Sequence, residues 1–149
     1  PTALAELLTF SAARAELVAT VIRPALDRGE LVLCDRFTDS TVAYQGYGRG
    51  LELATIEAVN AAATGGLTPD LTLLLDLDPA AGRARGAAGG TDYLERETLA
   101  FHERVRAGFH ALAAREPARW HVIDASGDIE AVSAAAWAPV EALLDARSG

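Results

Sequence analysis

The chain has 149 residues, half of them hydrophobic, which is ample for one compact domain and short for two. Its formal charge is −8, and all thirteen cationic side chains are Arg, with no Lys anywhere. Such an acidic surface repels nucleic-acid phosphates and anionic membranes, so an anionic ligand has to be gathered by a local group of arginines.

Residues 2–29 repeat apolar groups at helical spacing, through Leu4, Leu7, Leu8, Ala12, Ala15, Val18, Ala19 and Ile22. Thr2 suits the N-cap, Glu6 the first turn and Gly29 the end. Pro24 lacks an amide proton and is expected to kink the helix or to start its last turn. The run LVLC at 31–34 is too short for a helix and predicts a strand covered on both faces. Residues 52–63 read as a helix ended by Gly65 and Gly66, and 71–75 as a second buried strand running into Asp76, Asp78 and Pro79, a helix-start turn. A weaker helix begins at Ala80 and breaks at the glycine-rich loop 86–91. A long helix is expected over about 93–115, a third strand over 120–123, a turn over 124–127 and a last helix over 129–144. The lone Cys34 cannot form an internal disulfide, and no signal peptide or long apolar run is present, which points to a soluble cytoplasmic protein.

This alternation predicts an α/β layer sandwich with parallel strands joined by right-handed crossovers. Ligands of such sheets bind beyond the carboxyl ends of the strands. Beyond Cys34 lies DRFTDSTVAYQGYGRG, residues 35–50, a polar and aromatic cluster that a strand end does not need for its own stability. Arg36 can grip two phosphate oxygens, and Asp35 can orient the waters of a magnesium ion. A structural Asp–Arg pair capping the next helix is the plainer alternative. Phe10 and Arg14 are one turn apart on one helix face, where a ring and a guanidinium can hold a planar base; a core Phe with a surface Arg is the alternative. Tyr44 and Gln45 either end a helix before Gly46 or present a carboxamide to a pyrimidine edge.

The stretch 35–50 resembles the DR(Y/F/H)-x-x-S-x-x-AYQG-x-x-RG signature of bacterial thymidylate kinases. The likeness starts at about Leu4 and continues more loosely through LTPDLTLLLDLDP, DYLE and HVIDASGDIEAV. The resemblance implies a P-loop NTPase-like three-layer sandwich, a parallel sheet of order 2-3-1-4-5, and one nucleoside-monophosphate kinase domain over 1–149 with a lid at about 82–97. It implies transfer of a phosphoryl group from ATP to dTMP with Mg2+, in a homodimer. Carried over residue by residue, Phe10 stacks on thymine, Arg14 donates to its O4, and Thr41 and Gln45 complete the base edge. Tyr44 packs against the sugar, Arg36 bridges the acceptor phosphate and the group in flight, and Asp35 holds magnesium through water.

Two departures stand out. The family's lid motif Asp-Arg-x-Glu reads Asp92, Tyr93, Leu94, Glu95 here, so the lid cation falls to Arg83, Arg85 or Arg96, each of which is equally well read as an ordinary surface charge, and Glu95 either lies near the metal and lid or is a helix-surface carboxylate. A chain without Lys also holds no P-loop of the G-x-x-x-x-G-K-[ST] kind. From this we expect residues 1–149 to be the remainder of a longer kinase that starts near its second helix, lacking the first two strands, and inactive if the molecule ends at Pro1. Mass spectrometry tests this: an intact mass of 15.6 kDa in a soluble, cooperatively folding protein would contradict that expectation. The alternatives are a catalytically dead nucleotide-binding or oligomerisation module, or another nucleoside or nucleoside-monophosphate kinase.

Overall fold

A computed structural model describes residues 1–86 and 93–149, and the glycine-rich loop falls largely outside them. The chain divides into two compact units, Pro1–Thr68 and Pro69–Gly149.

The first unit is helical. Thr2 caps α1 (Ala3–Leu17) by accepting from the amide of Ala5, as its position ahead of the apolar repeat predicts. The helix then widens into a π-helical turn, π1 (Val18–Ile22), before α2 (Arg23–Asp27). Pro24 is the cause: in the first turn of α2 its missing amide costs nothing, while the preceding turn has to loosen around the pyrrolidine ring. Gly29, at φ 76°, ends the segment. After it come α3 (Thr38–Thr41), a second π-helical stretch, π2 (Val42–Gly48), and α4 (Leu53–Thr64), whose last turn closes on Gly65 in the left-handed region at φ 61°. A Cβ at Gly65 is strained by that φ and meets Arg23 Nη2 at 3.1 Å. Gly65→Ala is therefore expected to lower the unit's unfolding free energy by about 1 kcal/mol, read as a shifted urea midpoint.

Residues 31–34 correct the sequence reading. They form no strand, and Leu31 and Leu33 are 69% and 95% exposed. A β-ladder exists only where a second strand supplies the opposite amides and carbonyls, and none among the described residues does so. Val32 alone is drawn in, against a cluster of Val18, Ile22 and Phe37 that also takes Leu67.

The second unit holds a two-stranded parallel sheet, β1 (Thr72–Asp76) against β2 (Trp120–Asp124), in the register Thr72 opposite Trp120 to Asp76 opposite Asp124. The α/β class is thus present, with two of the three expected strands. β1 is half-buried rather than buried, with Leu75 exposed. Between the strands lie α5 (Pro79–Gly86) and α6 (Leu99–Arg115), and α7 (Ile129–Ser148) follows β2. α6 starts six residues later than its periodicity suggests, because Thr98 accepts from the amide of Phe101 and fixes the N-terminus there. Its inner face places Phe101, Val105, Leu112 and Ala113 in the core, with Trp120 and Ile123 of β2 also buried. Among the described residues no helix is long and apolar enough to cross a membrane.

Candidate functional site

The chemistry predicted for residues 35–50 gathers in the first unit around one buried amide. Asn60 on α4 is 7% exposed, and its Oδ1 accepts from Arg14 Nη1 at 3.3 Å and from the Thr41 hydroxyl at 2.9 Å. Thr41 shares its single proton with the carbonyl of Thr38 at 2.7 Å, and Asn60 Nδ2 donates to that same carbonyl at 3.3 Å. The Arg14 guanidinium lies over the Phe37 ring, 5.8 Å from its centroid, and Phe37 is itself anchored in the Val18–Ile22 cluster.

Arg14 is thus a half-buried cation held by a neutral amide, with no carboxylate in hydrogen-bond contact among the described residues. Burial pulls its pKa down, while the Cys34 and Asp39 side chains push it back up. A guanidinium stays charged through any such shift and keeps unused N–H groups for a ligand. Partial burial raises the pKa of the Cys34 thiol, and the nearby Arg14 charge opposes that rise. Phe10, one turn before Arg14, is 41% exposed, so its ring is open to a planar partner.

Arg36 stands next to Phe37 in the chain and stacks over Tyr44 at 5.0 Å from the ring centroid. It is the one non-glycine residue at positive φ among those described, at 64°. That backbone costs on the order of 1 kcal/mol for a residue with a Cβ, and such strain gathers at functional sites. The Cys34 thiol donates to the Arg36 carbonyl at 3.3 Å and steadies the turn. Asp35 is exposed beside it.

The structure brings Arg14 and Thr41 together through Asn60, and Arg36 and Tyr44 together through stacking. It directs Gln45 elsewhere. Gln45 is 1% exposed, and its Nε2 donates to Glu6 Oε1 at 2.5 Å. Glu6 also takes Arg49 at 3.3 Å through each of its oxygens, so one buried carboxylate ties π2 to α1.

Comparison with known sequences decides the family. The thymidylate kinase family model matches residues 2–136. A thymidylate kinase of Solidesulfovibrio magneticus is 56% identical over 148 residues, covering 94% of this chain and 71% of its own length. The thymidylate kinase of Gloeobacter violaceus is 56% identical over 147 residues, with 97% of this chain and 69% of its own length covered. That of Deinococcus radiodurans is 55% identical over 138 residues, with 92% and 67% covered. The chain belongs to the thymidylate kinase family.

The three arginines expected near the lid differ in their engagement. Arg83 donates to the Glu97 carbonyl at 2.6 Å, and Arg85 to the carbonyls of Ala125 and Ser126 at 2.8 and 2.6 Å. Arg96 and Glu95 are exposed, and Asp92 lies outside the described residues. At the end of β1, Asp76 receives both Arg106 Nε and Nη2 at 2.9 Å and sits 3.0 Å from His110 Nε2. Asp78 accepts the amide of Ala80 at 2.9 Å and starts α5. The Asp78 cap is the helix-start turn the sequence predicts, whereas the pairing of Asp76 with α6 was not expected. Among the described residues no three His, Cys, Asp or Glu side chains converge as a metal cage.

The Arg106 hydrogen bonds, opposed by burial and helped by His110, hold the Asp76 pKa below the ordinary carboxylate value. A depressed folded-state pKa gives stability that is present above the unfolded value, near 4, and is lost as pH falls through the lower folded value. Urea midpoints measured from pH 6 downward are therefore expected to fall below about pH 4. In Asp76→Asn that acid limb should be shallower; an identical limb in the variant contradicts the assignment.

Sequence reasoning missed Asn60, Phe37 and Glu6. A lone Asn one turn after Ile56 on the inner face of a helix is the signal that was available, since a polar group there has to find partners.

Proposed function

We propose that the protein transfers a phosphoryl group from ATP to dTMP, giving dTDP, as a cytoplasmic homodimer in which residues 1–149 act as a nucleoside-monophosphate kinase domain. The observation that carries this reading is Arg14: a half-buried cation, fixed by the Asn60 carbonyl, with an exposed Phe10 ring one turn away. Thymine stacks on Phe10 and offers O4 to Arg14. Cytosine turns an amino group toward the same guanidinium and leaves a buried donor facing a donor. Thr41, 2% exposed and with its proton given to the Thr38 carbonyl and Asn60 Oδ1, supports Arg14 through Asn60 rather than touching the base, and Tyr44 packs on the deoxyribose, where a 2′-hydroxyl crowds it. Gln45, tied to Glu6, supports this set by locking the π2 backbone that carries Tyr44, rather than by touching the base.

The acceptor needs no general base. A nucleotide phosphate has a second pKa of about 6, so the attacking oxygen is already anionic at neutral pH. The task is to align two anions and to disperse the charge of a loose transition state. Arg36 is suited to it: its guanidinium lies over Tyr44, 5.0 Å from the ring centroid, and an arginine fork can take two oxygens at once. The single exposed carboxylate of Asp35 fits a hydrated Mg2+ held through water, with the nucleotide phosphates as its other ligands. Asp35 would hold such an ion near the phosphates, where it would supply positive charge. Because Arg83 and Arg85 are committed to backbone carbonyls, Arg96 is the lid cation we assign to the donor phosphates, with Glu95 beside it.

Turnover of the intact protein with ATP, Mg2+ and a panel of dTMP, dUMP and dCMP tests the proposal. The thymine methyl contributes about 0.8 kcal/mol of burial, so dUMP should be poorer by only about fourfold, whereas dCMP should be poorer by about a hundredfold or more. Arg14→Ala is expected to erase most of the dTMP-over-dCMP preference. Equal turnover of dTMP and dCMP by the native protein defeats this reading of Arg14. Binding of dTMP without any turnover would mark a nucleotide-binding module instead.

A further inference from the structure

Asn60 lies outside the motif that marks the site, in the middle of α4, on a turn whose other inward residue is Ile56. Burying a carboxamide there is costly unless its groups are paired. A Leu or Ile would fill similar space without that cost. All three side-chain hydrogen bonds of Asn60 nevertheless go to one place: Oδ1 to Arg14 and Thr41, Nδ2 to the carbonyl of Thr38. The amide orientation is forced, because Arg14 can only donate and must meet oxygen rather than nitrogen. α4 thereby joins α1, which carries Arg14, to α3, which carries Thr41.

We propose that Asn60 is a positioning residue for base selection: braced by the buried Thr41 hydroxyl, it holds the Arg14 guanidinium in the direction that meets the nucleobase edge. This rests on the reading that Arg14 donates to the base. A guanidinium at the end of a flexible stem discriminates between a carbonyl and an amino group only while its direction is fixed. With Nη1 held on Asn60, the Arg14 side chain loses freedom to swing, and its remaining N–H groups keep a set direction. Displacements of about 1 Å at such a donor are worth up to a hundredfold in rate. The neutrality of Asn60 matters too, since a carboxylate in its place would satisfy the guanidinium as a full ion pair and blunt its demand for a carbonyl partner.

The test compares kcat and KM for dTMP and dCMP in the intact native protein, Asn60→Ala, Arg14→Ala and the double variant. Asn60→Ala is expected to raise KM for dTMP about tenfold, to change kcat less than about threefold, and to cut the dTMP-over-dCMP preference about tenfold. In the Arg14→Ala background the same change should move KM and preference by less than about twofold, because the two residues act as one unit. A folded Asn60→Ala with native KM and native preference, altered only in melting temperature, overturns the inference while leaving the Arg14 reading intact. An unchanged preference in Arg14→Ala itself overturns both. Should Asn60→Ala not fold, nitrogen NMR of the native protein decides. The bond to Asn60 slows rotation of the Arg14 guanidinium, so its Nη signals should be resolved and should stay resolved when dTMP is added; averaged signals overturn the inference.

Discussion

Arg36→Ala is expected to lower kcat for dTMP phosphorylation about a thousandfold, equal to about 4 kcal/mol of lost transition-state stabilisation, while the melting temperature moves little. The two readouts separate because Arg36 does little for the fold. Its stack on Tyr44 is a part-exposed cation–π contact at 5.0 Å, worth about 0.5–1 kcal/mol. Its backbone, at φ 64°, is strained whether Arg or Ala is present. Arginines aimed at a moving phosphoryl group contribute about 10³–10⁵ in rate in comparable chemistry. Steady-state kinetics beside a thermal melt checks the prediction. A large fall in melting temperature with a proportionate loss of activity would mean that Arg36 serves the fold and not the transfer.

Glu6→Ala is expected to remove about 3 kcal/mol of stability, the largest structural effect in the first unit. Glu6 is 5% exposed and is the shared acceptor of Gln45 Nε2 and of both Arg49 nitrogens facing it. Its removal strands the buried carboxamide donor of Gln45 and takes the carboxylate away from Arg49, and breaking a buried pair costs more than the intact pair contributes. Glu6→Gln keeps one acceptor oxygen and should lose roughly half as much. Urea denaturation of the three proteins measures this. Because π2 carries Tyr44, activity should fall with the loss of order, and a ligand that binds the native state should restore part of the melting temperature. An Ala variant as stable as the native protein would show that the Glu6 clamp is not what secures π2 to α1.

The helix ends of the first unit were legible because Thr2, Pro24 and Gly65 act locally: a cap, a missing amide and a left-handed turn need only their immediate neighbours. The stretch 31–34 was not, since four apolar residues state a preference for a strand but the ladder depends on a partner elsewhere. Likewise the start of α6 was set by Thr98, whose signal was masked by the charged, helix-favouring residues just before it. Within the site, the sixteen residues from Asp35 to Gly50 drew attention by their chemistry. Glu6 looked like an ordinary first-turn acid, and only its burial against Gln45 and Arg49 shows otherwise. Asn60 was invisible for the same reason: sequence gives residue types on a helix face, and the partners that explain a buried amide come from helices far away in the chain.

A crystal structure of the intact protein with dTMP tests the central claim most directly. The account predicts the thymine ring stacked on Phe10, O4 within hydrogen-bond reach of Arg14, the deoxyribose against Tyr44 and the phosphate on Arg36. A nucleotide bound away from these four side chains, or bound among them with its base turned from Arg14, would contradict it.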